Sequence, residues 1–161
     1  MDTASGSEAE ATFRRADPSE ASRLGDIVIA GVSYWGHHLT HPDAVDALRA
    51  TGLPTGDYVA RCPVFVLEDG AGLIGFYGLG IEADHVELIY LFLETHRIGA
   101  GYGRRLWDHA VIEASRHRNR LLIKSDPMAV GFYAAMGAVQ GADIEISPGF
   151  FLTTFTYDLD A

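Results

Sequence analysis

The chain has 161 residues, 48% of them hydrophobic and 21% charged, which excludes disordered and fibrous classes and suits one domain with a proper core. Its 22 acids outweigh its 12 bases, and the net charge of −10 speaks against a nucleic-acid partner. A single cysteine, Cys62, excludes a disulfide framework and a cysteine-only zinc site, and no apolar run approaches the ~18 residues of a membrane span.

Residues 1–10 read as a flexible polar tail and residues 11–161 as a single domain. The first twenty residues hold no apolar signal segment, so a soluble cytoplasmic protein is expected. A short strand is predicted near Thr12–Arg15. Asp17-Pro18-Ser19-Glu20 then starts a helix, with Asp as the cap, Pro in the first turn and Glu20 completing a capping box. Ala21, Leu24, Val28 and Val32 recur at helical spacing, so this helix ends near Ser33. Tyr34-Trp35-Gly36-His37-His38 reads as a loop, and Pro42 opens a second helix that Gly52 terminates. Cys62, before Pro63, reads as a core residue, since no histidine partner for a nucleophile is identifiable.

The middle is strand-rich. Pro63–Leu67 and Leu73–Leu79 flank Glu68-Asp69-Gly70-Ala71-Gly72 as a hairpin. Val86–Leu93 is almost wholly apolar, as a central strand covered on both faces would be. A helix follows from about Ala100 to His117, burying Leu106, Trp107, Ala110, Val111 and Ala114. Leu121–Lys124 is a strand, Asp126-Pro127 caps a helix that Gly137 ends, and Val139–Ile146 with Phe151–Tyr157 closes the chain. The order β-α-α-β-β-β-α-β-α-β-β predicts a mixed α/β sheet.

Charge is unevenly spread. Between Arg97 and Lys124 seven bases meet two acids, so this stretch carries +5 and the remainder −15. Within it lies Arg97-Ile98-Gly99-Ala100-Gly101-Tyr102-Gly103-Arg104-Arg105, between the apolar strand and the amphipathic helix. Three alternating glycines let a backbone approach an anion with no Cβ in the way. The first N–H groups of the helix lack intrahelical partners, and its dipole favours negative charge. Arg97, Arg104 and Arg105 add charge-assisted contacts. This is a phosphate-binding turn, but neither a Walker loop, which needs Gly-Lys-Ser/Thr, nor a dinucleotide turn, which follows the first strand.

These residues resemble the GNAT superfamily of acyl-CoA-dependent N-acetyltransferases over most of the chain. The strand-plus-turn Glu87–Leu93 with Gly101-Tyr102-Gly103-Arg104-Arg105-Leu106 looks like the family's coenzyme A pyrophosphate loop. Ser125–Ala138, containing Phe132-Tyr133, looks like its downstream segment. The chain departs from the family at Ile98, where Gln or Arg is common, and at Ala138, where Phe is frequent. The resemblance implies a mostly antiparallel central sheet of about seven strands with four helices, splayed between the fourth and fifth strands. It also implies acetyl-CoA as cofactor, a pantetheine arm along Leu91, Phe92 and Leu93, and a diphosphate over Gly99, Ala100, Gly101, Tyr102, Gly103 and Arg104, with Phe132 nearby. Acetyl would pass to a primary amine, on a small cationic molecule or a peptide, and the protein would dimerise through its C-terminal strands.

Acyl transfer needs a neutral amine, a stabiliser for the carbonyl oxygen and a proton for the departing thiolate. The resemblance makes Tyr133 the candidate acid. Glu87 is the candidate base: in a regular strand it shares a face with Ile89, Leu91 and Leu93, and an apolar face raises a carboxyl pKa. His85 is the reserve base, and an N–H near Leu93 the oxyanion donor. Tyr34, Trp35, His37 and His38 follow the first helix, where this fold builds the acceptor pocket. His37, His38 and His41 crowd a polar loop without a nearby cysteine, and no metal is expected. A non-catalytic acyl-CoA sensor of the same fold is the alternative, and a bare phosphate-binding module a second one.

Overall fold

In the computed structural model, which describes residues 10–160, seven strands form one sheet. They are β1 (Thr12–Arg15), β2 (Val64–Asp69), β3 (Gly72–Ile81), β4 (Val86–Leu93), β5 (Arg120–Ser125), β6 (Val139–Ser147) and β7 (Phe150–Asp158). They lie in the order β1-β2-β3-β4-β5-β7-β6, every pair antiparallel except the parallel β4–β5. The predicted mixed sheet and its strand bounds hold to within a residue or two. The tail expected over residues 1–10 lies, Glu10 apart, outside the described residues.

Six α-helices accompany the sheet rather than four: α1 (Ala21–Tyr34), α2 (His37–Thr40), α3 (Pro42–Ala47), α4 (Gly56–Arg61), α5 (Tyr102–Ser115) and α6 (Val130–Ala135). The turn before α1 carries the predicted capping box, with Ser19 N–H donating to Asp17 and Asp17 N–H to Glu20 at 2.9 and 2.8 Å. The supposed loop after α1 contains α2, a single turn started by Gly36 in the left-handed region (φ 82). The second predicted helix is α3 followed by a π turn, Leu48–Gly52. The remaining difference is α4, begun by Thr55, whose hydroxyl accepts from Tyr58 N–H at 3.1 Å.

The sheet has a core on each side. Leu106, Trp107 and Ala110 of α5 pack with Tyr77, Leu121 and Phe155 on one face, while Leu24, Ile27 and Val28 of α1 pack with Phe76 and Tyr90 on the other. Helix α1 comes close to β4 because residue 31 is glycine: a Cβ there would stand 2.8 Å from the Phe92 ring.

The strand β4 contains an irregularity that fixes the site. Tyr90 opposes Gly78 and Leu88 opposes Leu79, so Ile89 is an extra, bulged residue. One inserted residue switches the faces of everything beyond it. Val86 and Leu88 therefore join the α5-side core together with Leu91 and Leu93, while Tyr90 and Phe92 face α1. The regular alternation expected of β4 fails at this point, and Glu87 does not share a face with Leu91 and Leu93. The bulge also parts the sheet. Only Val86, Glu87 and Leu88 pair with β5, at Leu121, Leu122 and Ile123, and beyond them the strands diverge.

Candidate active site

Where β4 leaves β5, a cleft of about 300 Å³ opens, lined by Leu91, Leu93, Ile98, Phe132 and Tyr133 among others. Its β4 wall offers free backbone groups. Glu94 N–H donates to Ile74 C=O across to β3 at 2.8 Å, and antiparallel alternation then turns the N–H and C=O of Leu93 and Leu91 toward the cleft. An extended chain laid in the cleft could pair with them as an added strand.

The Gly-rich turn stands at one end of this cleft. Gly99 and Gly101 take φ values of +95 and +86, and nothing lies within 4 Å of where either Cβ would be. Gly101 is the N-cap of α5, and the first backbone bond into it comes from Arg105 N–H at 3.4 Å, which leaves the N–H groups of Tyr102, Gly103 and Arg104 without helical acceptors. Gly103 serves packing instead: a Cβ there would stand 3.2 Å from the Phe132 ring. The arginines divide their work. Arg97 is held by both Asp69 carboxylate oxygens at 2.8 Å, so it braces the turn against β2 rather than standing free for an anion. Arg105 donates to Ala11 C=O at 3.1 Å, while Arg104 is exposed in the first turn of α5.

Tyr133 of α6 is buried against Trp107, Phe132 and Phe155, with ring centroids 5.8, 5.1 and 5.8 Å away, and lines the cleft. Burial, and then the Asp126 charge, push its phenol up from the ordinary value, so the hydroxyl stays protonated and able to donate.

A second cavity, of about 240 Å³, opens on the α1 face of the same gap. The two share Ile89, Phe92, Lys124 and Asp126, so they meet through the divergence of β4 and β5. His37, from α2, is 7% exposed, and its Nε2 lies 2.8 Å from Asp126 Oδ2. The other Asp126 oxygen accepts Met128 N–H at 2.8 Å, fixing the carboxylate. Phe150 covers the imidazole edge-on, 5.0 Å between centroids.

Of the acceptor-side candidates, the structure brings His37 to this cavity and Trp35 to the first cleft, while Tyr34 and His38 stand exposed on the surface and line neither. Glu87 also lines neither; its carboxylate lies 3.6 Å from Lys124 Nζ. The apolar face invoked for it is thus replaced by an ammonium neighbour. His85 is turned to Asp84 at 2.7 Å. Cys62 is half-buried, and burial pushes its thiol up, as for an inert thiol. Sequence reasoning missed Lys124, Asp126 and Phe150. Asp126 was legible as a cap but not as the partner of a histidine 89 positions away.

Residues 60–137, which span the end of α4, β2 to β5, α5 and α6, match the family described as acetyltransferase (GNAT) domain. No protein of curated function matches the sequence significantly. Among solved structures, the chain is similar to the PaiA N-acetyltransferase of Thermoplasma acidophilum in complex with coenzyme A: TM-score 0.69, 15% identity, 92% of this chain and 99% of that one. It is similar to YncA of Salmonella typhimurium with its cofactor acetyl-CoA, at TM-score 0.65 and 17% identity over 95% of this chain and 96% of that one. The N-acetylglutamate synthase of Neisseria gonorrhoeae, complexed with coenzyme A and N-acetyl-glutamate, gives TM-score 0.68 and 19% identity over 94% of this chain but 35% of that longer one. Among the described residues, no helix is long and apolar enough to cross a membrane. The split sheet, the Gly-rich turn ahead of α5 and these likenesses give the chain the fold of known N-acetyltransferases, and residues 60–137, just under half of its length, match the acetyltransferase (GNAT) domain family.

Proposed function

We propose that the chain is an acyl-CoA-dependent N-acetyltransferase that moves acetyl from acetyl-CoA to the primary amine of a small molecule or peptide, by direct attack with both bound. The observation that carries this reading is the pair of cavities meeting through the gap at Ile89, Phe92, Lys124 and Asp126, one beside free strand groups and a helix N-terminus and the other closed by α1 and α3. Acetyl-CoA supplies the thioester carbon that the amine attacks.

The chain's own groups fit that ligand. The N–H and C=O groups of Leu91 and Leu93 suit the amides of a pantetheine arm, Phe92 and Phe132 give it apolar walls, and the open space at Gly99, Ala100 and Gly101 suits a diphosphate over the first N–H groups of α5. Arg104 adds a cation there, and Tyr102 stacks beneath Arg97, 6.0 Å from its guanidinium, which steadies the turn. One of the free β4 groups, an N–H near Leu93, would serve the carbonyl oxygen as it gathers charge rather than a pantetheine amide. Tyr133 donates to the departing sulfur. Its raised pKa makes it a hydrogen-bond donor that gives up its proton only as thiolate charge develops. The acidic surface draws a cationic amine toward the site. The protein would act in the cytoplasm, as a homodimer built on the exposed strand β6; a mass near 17.4 kDa by light scattering would refute the dimer.

The test is thiol release from acetyl-CoA across an amine panel, alongside thermal shift with acetyl-CoA. Tyr133→Phe should slow turnover by about a hundredfold or more while leaving the acetyl-CoA shift unchanged. Acetyl-CoA binding without release to any amine would point instead to a sensor.

A further inference from the structure

The second cavity has a composition that the acetyltransfer reading does not use. Its wall is largely apolar, with Val28, Val45, Leu48, Tyr90, Phe150 and Leu152 among the lining residues. Tyr90 presents only its ring, because its hydroxyl donates to Gly52 C=O at 2.6 Å. The side chains of His37, Lys124 and Asp126 bring the charge and the free polar atoms, all at the end that opens toward the first cleft. An acceptor seated here meets hydrocarbon along its body and polar groups at one tip.

His37 is set to act at that tip. Its Nε2 is taken by Asp126, which orients the ring and favours the proton on Nε2. Nδ1 then carries the lone pair. Among the described residues it has no hydrogen-bond partner, and it is not sealed off, since no buried nitrogen or oxygen side-chain atom lacks one. The charged and titratable groups around the ring are Asp126, His41, whose ring centroid lies 6.2 Å away, and Lys124 across the cavity.

Resting on the acetyltransferase reading, we propose that this cavity takes a primary amine carried on a compact apolar body, and that His37, positioned by Asp126, is the base that frees it. The ammonium gives one proton to Nδ1 of His37. The freed lone pair forms the C–N bond as the C–S bond breaks, and the sulfur takes the Tyr133 proton. The nitrogen then loses its second proton, which restores the Tyr133 phenol through water, and His37 passes its proton to solvent. A polyamine or amino sugar fits badly, since a second ammonium or a ring of hydroxyls would lie unpaired in hydrocarbon.

The experiment compares 2-phenylethylamine and 3-methylbutylamine with spermidine and glucosamine as acceptors, with amine binding by calorimetry and the acetyl-CoA thermal shift measured in parallel. The apolar amines should bind more tightly and show kcat/KM at least about a hundredfold higher. His37→Ala should lose about a hundredfold or more in kcat, keep the acetyl-CoA shift and regain rate with added imidazole; Asp126→Asn should lower kcat more than it changes KM. Preference for spermidine or glucosamine, turnover of none of the four amines, or a His37→Ala variant as fast as the parent would each overturn this inference while leaving acetyl-CoA binding standing. No acetyl-CoA shift in the parent protein would overturn the acetyltransferase reading, and this inference with it.

Discussion

Gly101 sits at φ +86, with nothing within 4 Å of its missing Cβ. The site needs both properties: a backbone that turns left-handed, so that the next N–H groups point out of the helix, and empty space in front of them. Gly101→Glu should therefore abolish the acetyl-CoA thermal shift, by filling the space and by like charge. Gly101→Ala should cost about 1–2 kcal/mol in stability from the left-handed backbone alone, read by chemical denaturation. The loop glycines were legible in the sequence because their spacing and the strand–turn–helix context are local. The work of Arg97 was not. Its bidentate partner Asp69 lies 28 positions upstream, and only the folded hairpin brings them together. The same holds for His37 and Asp126, legible locally as an acceptor-side residue and a helix cap but not as a pair.

At the scale of elements, Gly31 shows how the helix layer sets the shape of the gap. A Cβ at this position would stand 2.8 Å from the ring of Phe92, which lines both cavities. Gly31→Ala must push that ring toward the opening. The expected result is a loss of about 1–3 kcal/mol from overpacking, with a fall in kcat/KM exceeding the fall in acetyl-CoA affinity, by denaturation and steady-state kinetics. The elements themselves were largely readable, because Pro, Gly and capping residues mark their ends and because α5 has a clear apolar stripe. Two kinds were not. Short helices such as α2 and α4 have too few turns to show periodicity, although Thr55 followed by Asp57 is a faint start signal for α4. The bulge at Ile89 lies in an almost uniformly apolar strand, where no alternation exists to be seen breaking.

At the scale of the whole molecule, most of the basic charge between Arg97 and Lys124 serves internal ties rather than an anion. Arg97 binds Asp69, Arg116 binds Glu113, Arg118 donates to the carbonyls of Glu82 and Ala83, and Lys124 neighbours Glu87. His109 is another such tie. It joins α5 to the sheet, stacked on Phe13 at 4.0 Å and hydrogen-bonded through Nδ1 to the Tyr77 hydroxyl, 2.7 Å away. Burial keeps that phenol protonated and lowers the imidazole pKa below its ordinary 6.5. The unfolded chain therefore binds this proton more readily than the folded one, so stability is full above about pH 6.5 and falls as the pH drops toward the lower folded value. Urea midpoints measured from pH 7.5 down to about 5.5 should decline, and His109→Gln should flatten that decline. The pleat of β4 has a consequence of its own: its two ends are out of phase by a single residue. Excising Ile89 would bring them back into step without moving Phe92 or Leu93 from the side each serves, and would let the seam zip shut, leaving nearly the same composition wound into a barren sheet.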